Sequence, residues 1–467
     1  MYNIWARKNA RSIRYQAFRP SSIVLPVLAF WIFTLVFTEC QKPQPANTIE
    51  ATAWIGTWGT AQQLVEPHNM PPQPGLSNNT LRQIVRVSLG GNRLRLRFSN
   101  EFSTSPVTLK SAHVAVSTGG SIINPDTDRG LRFDGKTQVI IEAGAAVTSD
   151  PFTFALEPRS DVAITIYCGE TAPDVTGHPG SRTTSYLLPG NAVDAVDFPD
   201  AVTTDHWYII DGIDIMAPED ANAVVVLGNS ITDGRGSGTN KQNRWPDELA
   251  RRLQENPETR HVAVLNMGIG GNCVLRDCLG PAAVTRFARD VLEQSGVRWL
   301  FILEGINDIG GARDTEAAAA VARDLIAAYE HMIDLAHAEG ILVYGATLLP
   351  FGGSFYDSAE REAARQTVNE WIRNSGRFDA VIDLDAALRD PTNPLRLLPA
   401  ADTGDFLHPN ETGHRMMAEA VDLTLFERVA KYPKRNTKHE NCDDNIRDID
   451  LHFHRFQKLC SNHRRTL

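Results

Sequence analysis

VVVLGNSITDG, residues 224–234, decides how the second half of the chain folds. Three valines and a leucine in a row read as a strand buried on both faces. Gly228-Asn229-Ser230 then reads as a tight turn, and Ile231-Thr232-Asp233 as the start of a helix. The rhythm recurs downstream: apolar runs at Val224–Leu227, Val262–Leu265, Trp299–Leu303, Leu342–Ala346 and Val381–Leu384 alternate with helical stretches, the clearest being Asp314–Glu339 and Glu411–Ala430. Continuous apolar strands alternating with helices specify a parallel sheet covered on both faces, with ligands at the loops after the strand C-terminal ends.

Upstream the period changes. Val85, Val87 and Leu89 alternate with Arg86 and Ser88, and Leu94, Leu96 and Phe98 alternate with Arg95 and Arg97, with Gly90-Gly91-Asn92 between the runs. This reads as a β-hairpin with one buried face. Further short runs at Val107–Val116, Gln138–Glu142, Phe152–Leu156 and Val162–Tyr167, separated by turn residues, extend the pattern to a sandwich, jelly-roll-like, over residues 50–215. The α/β domain covers 220–430.

The ends differ from this body. The first 38 residues hold Arg7, Lys8, Arg11, Arg14 and Arg19 without an acid, then the apolar run Ile23–Thr38. Residues 1–45 are therefore expected to be an export signal or membrane anchor plus linker, which places the protein in the periplasm, outside the cell or on the envelope, with lipid attachment at Cys40 as a variant. Residues 431–467 hold nine Lys/Arg, five Asp/Glu and four His with little periodicity, and are expected to be a poorly ordered tail. His452 and His454 lack a third partner for a metal.

Six cysteines, at 40, 168, 273, 278, 442 and 460, are too scattered for a disulfide scaffold. Cys273 with Cys278 and Cys442 with Cys460 are spaced for local bridges, and free thiols are the equal alternative. The 467 residues carry 46 Lys/Arg against 56 Asp/Glu, a net charge of −10. Without residues 1–39 and 431–467 the count is 32 against 50, or −18 for the body. That balance speaks against nucleic-acid or anionic-membrane partners, leaves membrane contact to the N-terminal segment, and suits neutral substrates better than polyanions. Nothing in the sequence specifies an oligomeric state.

Chemistry-bearing residues follow the predicted strands. The first is followed by Ser230, the second by Gly268-Ile269-Gly270-Gly271, the third by Glu304-Gly305-Ile306-Asn307-Asp308, and the fifth by Asp405-Phe406-Leu407-His408-Pro409. Acyl transfer from serine needs these parts: a base (His408) to take the hydroxyl proton, an acid (Asp405) to fix the base's tautomer, and donors for the oxyanion from the Ser230 and Gly271 N–H groups and the Asn307 amide. No metal or organic cofactor is required. Asn229, Asp233 and Glu304 are candidates to shape the pocket, and Arg244, Trp245 and His178 are further ones. Taken singly, each is equally explained by a turn, a cap or packing.

At these residues the chain resembles the SGNH hydrolases, or GDSL esterases. Ser230 matches the nucleophile block, Gly271 and Asn307 the oxyanion blocks, and Asp405 with His408 the DxxH block. The resemblance covers about 222–430 and implies a flavodoxin-like three-layer α/β/α hydrolase domain. It further resembles bacterial xylanase-cluster esterases, whose β-domain begins near a Trp-Ile-Gly-Thr-Trp stretch, here Trp54–Trp58. One departure is visible: Asn229 stands where the family has Asp, a residue that is not the triad acid. A Gly-x-Ser-x-Gly elbow is absent, Thr232 occupying the second Gly position. The resemblance implies a serine esterase acting on a small ester or an acetylated glycan. The alternatives are a lipid acylhydrolase, and a glycan-binding surface protein without catalysis.

Overall fold

The fold is described from a computed structural model, which places residues 51–427 apart from residue 172. The expected leader with Cys40, the Cys442–Cys460 pair, His452, His454 and the tail from 431 lie outside the described residues.

The parallel sheet forms from the runs that announce it. Its order is Val262–Gly268, Asn222–Gly228, Val297–Leu303, Leu342–Ala346, Ala380–Ile382. All four pairings are parallel. This 2-1-3-4-5 arrangement is the flavodoxin-like order, whose switch point lies beside the first strand. Val224, Val225, Val226 and Leu227 are fully buried, as a strand covered on both faces requires. One group of helices pairs Trp245–Glu255 with Glu411–Glu419, and the other pairs Thr315–Ala338 with Ala359–Asn374.

Two boundaries move. The fifth strand stops at Ile382, because Asp383 accepts from the Ala386 N–H and caps a short helix, Leu384–Leu388. The expected helix Glu411–Ala430 ends at Glu419 and gives way to a 3₁₀ turn at Leu423–Phe426, which Asp422 caps.

The N-terminal half is a sandwich of two antiparallel sheets. One runs Ala51–Gly59, Ile210–Pro218, Gly91–Ser99, Phe152–Leu156; the other runs Val202–Thr204, Ser185–Pro189, Asn79–Arg86, Asp161–Cys168, Val107–Gly119, Ile122–Ile123. The expected hairpin is not formed. Asn79–Arg86 pairs with Asp161–Cys168 in one sheet, whereas Gly91–Ser99 pairs with Ile210–Pro218 in the other. The connection crosses between sheets at Val87–Gly90, where the Val87 N–H donates to Ser160 and the Ser88 N–H to Thr57. Alternation reports that one face of a strand is buried. It does not report the strand's neighbour, and two inner faces of a sandwich satisfy the pattern as well as one hairpin does.

The sandwich and the α/β layer share a continuous core. Only a turn at 219–221 separates the strand Ile210–Pro218 from Asn222–Gly228. The Gly56 N–H donates to Ser295 O at 2.9 Å, and the Val264 N–H to Ser88 Oγ at 3.1 Å. Among the described residues no helix is long and apolar enough to cross a membrane.

Candidate active site

Strand register assembles the site. Gly228 pairs with Gly268 on one side and Leu303 on the other, so the three strands end level and their following loops share one edge. Past Gly228, Asn229 caps the helix Ser230–Asp233 by accepting from the Ile231 N–H at 3.1 Å. An Asn does this as well as an Asp, so the departure at 229 keeps the turn intact. It is buried, with its side chain spent on the cap.

Ser230 Oγ lies 3.0 Å from His408 Nε2, and His408 Nδ1 lies 2.7 Å from Asp405 Oδ2. The other Asp405 oxygen accepts from the His408 and Leu407 amides at 2.9 and 3.0 Å. Burial alone would raise the Asp405 pKa. The hydrogen bonds from the His408 ring and these amides outweigh it and hold the carboxyl well below the usual carboxylate range. His408 has its pKa lowered, first by burial, with Arg235 and Arg182 adding to the effect and Asp405 opposing it. A neutral imidazole whose Nδ1–H faces Asp405 presents the Nε2 lone pair to the serine hydroxyl. Ser230 is 9% exposed and His408 6%, so the pair opens to the surface narrowly.

The loop after the second strand carries Gly271 in a left-handed conformation, φ +69°. After the third strand, Asn307 is held at both ends of its amide: Nδ2 donates to Asn272 O at 2.6 Å and Oδ1 accepts from the Tyr356 hydroxyl at 3.0 Å. One Nδ2 hydrogen is left over. Asn272 is in turn gripped by Arg286, which is fully buried and donates to Asn272 Oδ1 and to the carbonyls of Met267 and Gly228. Asp308 accepts from the amides of Val274 and Leu275 at 2.8 and 3.1 Å. It thereby docks the loop that the Cys273–Cys278 disulfide closes. Of the two readings open for these thiols, the bridged one is formed. Cys168 is a buried free thiol, pushed by burial to about 12.

The residues expected to shape the pocket, Asn229, Asp233 and Glu304, are all buried, and Asp233 lines a cavity together with His178 and Arg244. Glu304 is 1% exposed, and neither carboxylate oxygen has a hydrogen-bond partner among the described residues. Burial, with the charge of Asp308 adding and Arg286 opposing, raises its pKa well above normal, so it is held as the neutral acid. Asp233 accepts from His178 Nε2 at 2.8 Å, while His178 Nδ1 lies 2.9 Å from Ala61 O. A Cβ at Gly180 would fall 2.0 Å from Asp233 Oδ2, so only glycine lets the sandwich segment 178–183 close on the helix Ser230–Asp233. Arg244 donates to Ser181 O and, at 3.0 Å, to Asp247. Trp245 is buried, its Nε1 3.3 Å from Thr232 Oγ1. Elsewhere in the sandwich His113, Asp128 and Asp194 converge, with His113 Nδ1 bonded to Asp128 at 3.0 Å.

Several residues of the site carry no sequence signal of their own. Tyr356, Asn272 and Arg286 act through contacts between separate loops, as do Arg182 and Arg235 beside His408. His414 is the sixth, accepting from the Trp245 N–H at 3.2 Å through Nδ1, with Nε2 3.0 Å from Arg235 O. An arginine four residues before an aspartate, as in Arg286 and Asp290, announces a helix ion pair and no more.

Residues 226–416 match the model of the GDSL-like lipase/acylhydrolase family. No curated protein sequence matches the chain. Among solved structures it is similar to a variant of an acetyl xylan esterase from Geobacillus stearothermophilus, at 22% identity over 45% of this chain and 99% of that one, with a TM-score of 0.34. It is similar to a GDSL-like lipase from Bacteroides thetaiotaomicron at 20% identity over 43% and 85% of the two chains, with a TM-score of 0.30. It is also similar to an alpha/beta hydrolase enzyme from the metagenome of Lake Arreo, Spain, at 20% identity over 43% and 94%, with a TM-score of 0.30. The matched segment, residues 226–416, contains Ser230, Gly271, Asn307, Asp405 and His408, and its likeness to GDSL-like lipases and acylhydrolases makes the chain a carboxylic ester hydrolase.

Proposed function

We propose that the chain is a serine esterase that works through an acyl-enzyme, with a carbohydrate acetyl or other short-chain ester as its substrate. The observation that carries the reading is the line from Ser230 Oγ to His408 Nε2 at 3.0 Å and on from His408 Nδ1 to Asp405 at 2.7 Å. Ser230 attacks the ester carbonyl while His408 takes its proton, then returns it to the leaving alcohol. Water attacks the acyl-enzyme by the same route in reverse. Asp405 holds the imidazole in the productive tautomer and offsets the charge it gains. The Gly271 and Ser230 N–H groups and the spare Asn307 amide hydrogen receive the oxyanion.

The carbohydrate part rests on the resemblance to xylanase-cluster esterases and on the sandwich segment 178–183, which closes on Asp233 at the end of the helix that Ser230 begins. The expected export of the protein belongs to the same proposal, since glycan esters lie outside the cell. One observation favours a longer acyl group instead. Leu279 lies over Gly271, and Phe355, 71% exposed, packs tilted against Tyr356 beside Asn307, so two bare apolar side chains adjoin the oxyanion blocks. A p-nitrophenyl ester series separates the two by chain length. Ser230→Ala is expected to lose at least about 10⁴-fold in kcat, and mass spectrometry to find the acyl group on Ser230. Equal turnover by wild type and Ser230→Ala would overturn the mechanism.

A further inference from the structure

The body of the chain is strongly acidic, yet beyond its partner Asp405 the charges that act on the catalytic histidine are the arginines Arg235 and Arg182. Arg235 follows Ser230 by five residues and is pinned at its backbone, its N–H donating to Ser230 O at 2.8 Å and its carbonyl 3.0 Å from His414 Nε2. Its side chain is exposed and forms no hydrogen bond or ion pair among the described residues.

Arg182 comes from the sandwich and is more unusual. Its carbonyl accepts from the Asn240 N–H at 3.0 Å, and its neighbours are anchored by Arg244 on Ser181 and Gln242 on Thr183. Arg182 itself is left-handed, φ +50°, an uncommon backbone state for an arginine and one that a surrounding structure must impose. Its side chain is only 29% exposed, and no hydrogen bond from the guanidinium forms among the described residues. Nε is buried without a partner, and the nearest carboxylate oxygen, Asp233 Oδ2, stands off at 3.9 Å. Asp233 Oδ1 is already taken by His178. By contrast Arg86, Arg95 and Arg373, of similar exposure, each donate to a carboxylate within 2.9 Å. A mostly buried guanidinium with no hydrogen bond and one long ion pair to Asp233, beside a second arginine without either, is a site short of an anion. Both arginines lie close enough to His408 to disfavour its protonation, which puts that anion beside the scissile ester.

We propose that Arg182 and Arg235 form a carboxylate-binding subsite beside Ser230, and that the physiological ester sits on an acidic glycan, as an acyl group on or next to a uronate residue. The proposal rests on the serine-esterase reading and names its substrate class. A planar guanidinium fork matches a planar carboxylate. A uronate ring offers a carboxylate and an esterified hydroxyl on the same sugar, so one residue can engage the arginines and present its acyl carbonyl to Ser230. The overall negative charge acts at long range and is screened by salt, whereas this subsite acts at contact.

The test compares kcat/KM on acetylated polygalacturonate and on p-nitrophenyl acetate, at pH 8 so that His408 is neutral in every protein. Wild type, Arg182→Gln, Arg235→Gln and the double variant are used. Arg235 is exposed, so its substitution leaves the fold intact whatever Arg182→Gln does. The ratio of acidic to neutral substrate is expected to fall about 10-fold in each single variant and about 100-fold in the double. It should also fall in wild type as salt is added, and galacturonate oligomers should bind Ser230→Ala but bind its Arg235→Gln derivative more weakly by calorimetry. An unchanged ratio overturns the proposal, as does an equal fall on both substrates, or competition by glycerol phosphate and not by galacturonate. If wild type hydrolyses neither ester while Ser230→Ala still binds galacturonate through the arginines, the serine mechanism fails and the subsite stands.

Discussion

Replacing Tyr356 by Phe removes one hydroxyl from the clamp on Asn307 and nothing else. The ring still lies against Gly310 and Phe355, so packing is conserved. The phenol is a donor throughout the working range, because burial raises its pKa above the usual 10. Asn307 Nδ2 spends one hydrogen on Asn272 O at 2.6 Å, and the other is what an oxyanion can use. Flipping the amide would set Oδ1 against the Asn272 carbonyl, so Asn272 chooses the orientation and Tyr356, at 3.0 Å from Oδ1, narrows it. A neutral hydrogen bond of this kind is worth about 0.5–1.5 kcal/mol net, which corresponds to about 2- to 12-fold in rate. Removing the donor altogether with Asn307→Ala costs about 10²–10³-fold. The assay is kcat/KM on p-nitrophenyl acetate, with the burst phase to isolate acylation and thermal unfolding to check the fold. Tyr356→Phe should lose about 5-fold in acylation with an unchanged melting temperature. In the Asn307→Ala background the same substitution should have no further effect, since Tyr356 acts through that amide. A 5-fold loss that persists without Asn307 would refute this reasoning, and so would full activity of Tyr356→Phe.

Other outcomes follow from the charges and contacts at the site. Because burial and then Arg235 and Arg182 lower the His408 pKa, kcat/KM should rise with pH and level off through a midpoint below 6.5, and Arg235→Gln should move that midpoint up. Buried His414, neutral with a pKa of about 4, costs stability as pH falls: the unfolded chain takes a proton near 6.5 that the native state refuses. Urea unfolding of wild type should therefore lose about 3 kcal/mol more than His414→Gln between pH 7 and 4, with no further difference below 4. Gly180→Ala drives a methyl group into the Asp233 carboxylate and should cost about 1–3 kcal/mol in chemical denaturation. A variant as stable as wild type would show that segment 178–183 is not clasped to the helix Ser230–Asp233.

Much of the fold is legible in single stretches. Val224–Leu227, Val262–Leu265, Trp299–Leu303 and Leu342–Ala346 announce buried strands because a strand covered on both faces cannot alternate, and Asp314 and Asn410 announce helix starts because their oxygens take amides that a helix leaves bare. The DxxH spacing is legible for a similar reason, since Asp405 reaches both the ring and the amide of His408 across one turn of chain. The hairpin at Gly90-Gly91-Asn92 misleads because alternation records burial and not partnership, and the sandwich turns that run of chain from one sheet into the other.

The sequence by itself determined the buried strands of the parallel sheet, the turns that follow them and the candidates Ser230, Asp405 and His408, because each is read from residues within a few positions of one another. Only the tertiary structure decided what surrounds them. Tyr356 meets Asn307 across 49 residues, Asp233 meets His178 across 55, and the charge of Arg182 acts on His408 from the other half of the chain. Such pairs are chosen by how two sheets pack and how far their loops extend, and no local pattern of hydrophobicity, charge or turn chemistry encodes a distance of that kind.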